Sequence, residues 1–123
     1  MIELNPKYEI IFDVRNIDDN CSKIADLMSA EAELIKEAMN AGMNNKAVMM
    51  YLQLLKSMTK HFVEDEHYCY FDDLYSPEYT LQSIFEDFQM HDLGAEATKL
   101  LNDGHEEIIQ SECYQEYGYP SYL

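Results

Sequence analysis

The chain has 123 residues, enough for one domain of ordinary size and little room for two. Apolar residues make up 47% and charged residues 26%, which argues against a disordered chain or a fibre. Eight Lys and Arg stand against 24 Asp and Glu, a formal charge of −16. Such a balance removes the usual electrostatic route to nucleic acid or to an anionic membrane.

No apolar run approaches a bilayer span, and Met1-Ile2-Glu3-Leu4-Asn5-Pro6 lacks the basic-then-apolar order of a secretory leader. Cys21, Cys69 and Cys113 are an odd, widely spaced set without a CxxC. They read as reduced thiols, so a cytoplasmic location is expected.

Residues Tyr8 to Arg15 alternate, with Tyr8, Ile10, Phe12 and Val14 on one side and Glu9, Ile11, Asp13 and Arg15 on the other. Period 2 predicts a short N-terminal strand. Its partner would be His67 to Phe71, or the same strand of a second copy in a homodimer. From about Asp18 to Ala41 the period becomes helical. Ile17, Cys21, Ile24, Met28, Ile35 and Met39 recur three and four apart, and Asn40-Ala41-Gly42 supplies a stop.

A second helix is expected from about Asn45 to His61 or slightly beyond, carrying Ala47, Val48, Tyr51, Leu52, Leu54, Leu55, Met58 and Phe62. The short connection makes these two helices antiparallel neighbours whose apolar faces form the main core. Ser76-Pro77-Glu78 then starts a third helix through Leu81, Ile84, Phe85 and Phe88. A short fourth helix with Ala95, Ala97, Leu100 and Leu101 should stop near Gly104, and a fifth should carry Ile108, Ile109 and Cys113. The segment from Tyr117 to Leu123 reads as irregular. The expected fold is therefore mainly α: a single domain over 1–123, a bundle of four to five helices with one short strand.

Charge and tyrosine divide the chain. Residues 1–60 hold nine acids and seven bases, a near-neutral half suited to a scaffold. Residues 61–123 hold fifteen acids and one base, Lys99, and eight of the ten tyrosines. Asymmetry of this kind speaks to partners and solubility rather than to fold.

The densest chemical cluster is His61-Phe62-Val63-Glu64-Asp65-Glu66-His67. On a continued helix His61, Glu64 and Asp65 share a face, and Glu64 with His67 makes a Glu-x-x-His pair. A second such pair is missing, and His-Glu-x-x-His is absent. His61, Glu64, Asp65 and His67 are thus weak metal candidates, with a solvated acidic helix end as the plainer reading. Nucleophilic catalysis lacks a G-x-S-x-G, and Cys69 lies among carboxylates that oppose a thiolate. The four glycines form no phosphate-binding loop, and no cofactor is expected. Asp72-Asp73 and Glu86-Asp87 read as charges on a wet face.

Tyr68, Tyr70, Tyr75 and Tyr79 are threaded among Asp72, Asp73, Glu78 and their acidic neighbours. Tyrosine gives large contact area at low entropy cost, and carboxylates around it steer a basic partner. The leading expectation is a non-catalytic acidic binding protein, inhibitor- or immunity-like or regulatory. It would dock a basic protein through Tyr68, Tyr70, Asp72, Asp73, Tyr75, Glu78 and Tyr79. The alternatives are a small metal-dependent enzyme built on His61–His67 and a structural dimer paired through the N-terminal strand.

Overall fold

The computed structural model describes residues 1–12, 21–65, 77–118 and 120–123, and all its regular elements there are helices. In chain order these are α1 (Pro6–Ile11), α2 (Cys21–Asn40), α3 (Asn44–Asp65), α4 (Pro77–Met90), α5 (Gly94–Ile109) and α6 (Glu112–Tyr117). The mainly α architecture is as expected, with six described helices in place of four to five. No described helix is long and apolar enough to cross a membrane.

The expected strand at Tyr8 to Arg15 is corrected to a helix as far as Ile11; residues 13–15 lie outside the described set. Asn5 decides the outcome. Its side chain accepts from the Lys7 N–H at 3.0 Å, its carbonyl takes the N–H groups of Tyr8 and Glu9, and Pro6 occupies the first turn. Tyr8, Ile11 and Phe12 are then buried, while Ile10 is exposed. That spacing of three and four is the helical reading of a segment that also alternates. Strand-to-strand dimerisation loses its basis here, because these amides close a helical turn. The strand's other expected partner, His67 to Phe71, lies outside the described residues.

The α2–α3 hairpin closes as its sequence implies. Gly42 takes φ +80°, and the amides of Gly42 and Met43 bond the carbonyls of Met39 and Ala38 at 3.0 and 2.9 Å. This is a Schellman stop, which only a residue tolerant of positive φ accepts cheaply. Met43 accepts the Ala47 N–H and so opens α3 one residue earlier than expected.

Helix α3 is the hub of the fold. It packs against α1, α2, α4, α5 and α6, and Ala47, Val48, Tyr51, Leu52, Leu54, Leu55 and Met58 are all inaccessible to solvent. With Ser57 these make eight buried positions in twelve residues, more than a one-sided stripe, so this helix is enclosed on more than one face.

Gly104 corrects a second expectation. Helix α5 runs straight through it to Ile109, and the break comes at Gln110–Ser111, where the Ser111 side chain caps α6. Ile108 and Ile109 therefore belong to α5, and Cys113 alone of the expected fifth set lies on α6. The glycine serves packing. A Cβ there would lie 2.4 and 2.5 Å from the two methyls of Leu52, which is itself fully buried.

Gly104→Ala weighs two effects. Helix propensity favours Ala by about 1 kcal/mol, whereas overpacking a closed core costs about 1–3 kcal/mol. A net loss of roughly 1 kcal/mol is expected by urea denaturation. Made on top of Leu52→Ala, the same change should turn neutral or stabilising. A loss that persists there would show that Leu52 is not the obstacle.

Candidate functional site

The expected docking set is only partly within the described structure. Tyr68, Tyr70, Asp72, Asp73 and Tyr75 lie outside the described residues, which leaves Glu78 and Tyr79 in the first turn of α4. Tyr79 is half exposed. Glu78 is engaged within the chain: its Oε1 accepts from the Ser121 amide at 2.8 Å and from the Ser121 hydroxyl at 2.5 Å. It ties the segment after α6 onto α4.

The metal candidates are likewise divided. His67 lies outside the described residues, and Glu64 and Asp65 fall in the last turn of α3, where side chains are not described. His61 is half-buried and turns to α1: its Nε2 meets the Glu9 carboxylate, which also receives Lys60 Nζ at 3.2 Å, and Phe12 stacks on its ring. Burial works against the Glu9 charge, but hydrogen bonds from His61 and Lys60 outweigh it and hold the carboxyl below its usual range. His61 thus clamps α1 onto α3. Among the described residues no group of three or more His, Cys, Asp and Glu is arranged to hold a metal ion.

The outer surface of α4 to α6 keeps its acidity. Glu86, Asp92, Glu96, Asp103, Glu106, Glu112 and Glu116 are all exposed. On α5, Glu96, Asp103 and Glu106 follow at spacings of seven and three, which places them along one stripe. The one cation of the second half, Lys99, is held by Asp103 at 2.5 Å. The remaining described pairs of this half reach into the first half: Asp87 with Lys36, and Glu107 with Lys56 and the Met1 amine. Exposed Met90, Tyr79 and Tyr117 add apolar and aromatic area to the same half.

Beneath this surface lies a polar chain that sequence reasoning missed. The Tyr51 hydroxyl on α3 bonds His105 Nε2 on α5 at 2.7 Å and the Tyr122 hydroxyl at 2.8 Å. Phe85 and Phe88 of α4 close around it, with ring centroids 4.8 Å from His105 and 5.4 Å from Tyr51. Desolvation pushes the His105 ring down to about 4, so it is neutral at pH 7, and burial pushes both hydroxyls up, so they stay protonated. Uncharged at pH 7 and partly buried, the cluster joins α3, α4, α5 and the last residues. Its members are 54 and 71 residues apart, and no local spacing relates them.

Comparisons of the chain with protein-family models, with curated proteins and with solved structures give no match.

Proposed function

We propose that this chain is a non-catalytic binding protein of the inhibitor or regulatory kind, which docks a basic protein through the acidic outer surface of its second half. The observation that supports it is the uncompensated carboxylate surface of α4 to α6. Seven exposed acids stand there against Lys99, which Asp103 already holds. Exposed charge of one sign raises encounter rates with the opposite sign and repels the same sign. The half-exposed Tyr79 supplies contact area at the margin of that surface. Tyr68, Tyr70, Asp72, Asp73 and Tyr75 remain part of the proposed contact set on the strength of their sequence alone.

The test is a capture experiment at low salt with rising-salt elution, run beside a variant carrying Glu96→Gln, Asp103→Asn and Glu106→Gln. One basic protein at near-equal stoichiometry is expected. Its association rate should fall about tenfold with the variant, with a flatter salt dependence. Equal capture by both proteins, or only a smear of abundant basic proteins, would reduce the charge to a solubility device.

A further inference from the structure

A second feature lies on the opposite chemistry. Where the segment before α1 meets α3 and the α5–α6 junction, a cleft of about 410 Å³ is lined by residues that include Leu4, Lys56, Lys60, Glu107, Ile108 and Cys113. That volume falls within the range of small-molecule sites, and the walls are aliphatic: leucine, isoleucine, lysine stems and a thiol. Two lysines line it. The other described clefts have one each, Lys36 in a cleft of about 280 Å³ and Lys46 in one of about 510 Å³. In a chain of charge −16, two lysines four residues apart against one acid, Glu107, are a local inversion.

We infer that this cleft binds a small amphipathic anion, an acyl chain bearing a carboxylate, with the chain against Leu4, Ile108 and Cys113 and the head at Lys60.

Partner exchange makes Lys60 the suitable anchor. Its present partner, Glu9, is also held by His61, so Lys60 can turn to a ligand without leaving that carboxylate unserved. Its side chain is 43% exposed. Lys56 is committed more firmly: it bonds the Ile2 carbonyl at 2.5 Å and Glu107 at 3.2 Å, while Glu107 also takes the Ile2 amide. It fixes the wall; Lys60 meets the head. Of the acids of α4 to α6, Glu107 lines the cleft itself, where Lys56 balances it at 3.2 Å.

Calorimetric titration of the full chain with decanoate, below its micelle concentration, tests the inference against decanol as the uncharged control. Saturable one-to-one binding of decanoate is expected. It should weaken at least tenfold in Cys113→Phe, which fills the cleft, and about three- to tenfold in Lys60→Gln, which removes the charge. Decanol should bind more weakly than decanoate and ignore Lys60→Gln. Each variant is checked for the wild-type circular dichroism spectrum. Should Cys113→Phe fail to fold, alkylation of Cys113 in the native protein, read by peptide mass, replaces it: decanoate should slow that reaction at least threefold. Absence of saturable binding, indifference to Lys60→Gln with an unprotected thiol, or equal affinity for decanol overturns the inference.

Discussion

Replacing Tyr51 by Phe is expected to lower stability by about 2–3 kcal/mol, although the change removes a single oxygen. The ring itself is tolerated, since Phe keeps the edge contact with Phe88 and nearly the whole volume. What is lost is the hydroxyl shared by His105 and Tyr122, whose rings both pack against Phe85, and each is left with a polar atom that has lost its partner. Leaving a buried donor or acceptor unmade costs about 1–3 kcal/mol, whereas removing both partners together costs much less. The cycle is therefore informative. Tyr122→Phe made on top of Tyr51→Phe should cost less than Tyr122→Phe alone, read from denaturation midpoints. A loss below about 0.5 kcal/mol for Tyr51→Phe would show that the hydroxyls are satisfied otherwise.

His105 should give the protein an acid-side weakness of the same sign as that of Glu9, whose carboxyl is also held below its usual range. Its folded value, about 4, lies below the ordinary 6.5 of an exposed ring, so the unfolded chain binds the proton first. Its stabilising contribution is complete above pH 6.5 and is lost as pH falls to 4. The full difference would correspond to about 3.4 kcal/mol; partial solvent access to the ring reduces this to about 2. Neutralising a chain of charge −16 relieves repulsion over the same interval and works the other way. A comparison isolates the ring. The stability difference between wild type and His105→Gln should change by about 2 kcal/mol between pH 7 and pH 4, in favour of the variant at low pH. A difference independent of pH would place the ring in contact with water.

Much of the helix plan was legible. Gly42 after Asn40-Ala41 and Pro77 before Glu78 mark stops and starts through backbone physics that acts on a few neighbouring residues, and both stand where that physics puts them. Two readings failed because a local signal had two meanings. Tyr8, Ile11 and Phe12 fit a helix, Tyr8, Ile10 and Phe12 fit a strand, and the deciding Asn5-Pro6 start is the same kind of signal as Ser76-Pro77. Gly104 has the composition of a stop, but its cause is Leu52, 52 residues away, whose methyls leave no space for a Cβ. The candidate site divides in the same way. Carboxylate excess after residue 60 is visible in composition. The turning of Glu78 to Ser121, of His61 to Glu9, and of Tyr51 to His105 and Tyr122 depends on contacts across the fold.

The enclosure of α3 distributes cohesion unevenly. Separating α3 from its neighbours exposes Tyr51, Leu52, Leu54, Leu55 and Met58 at once, so its amides reach water only when the whole domain comes apart. Helix α1 is a single turn and a half, pinned by Ile2, Tyr8, Ile11 and Phe12 and by charged clamps at Glu31, Glu9 and Glu107. Lifting α1 alone exposes fewer buried side chains than separating α3. Leu4, just before α1, also lines the aliphatic cleft, so displacing this segment would widen the cleft without global unfolding.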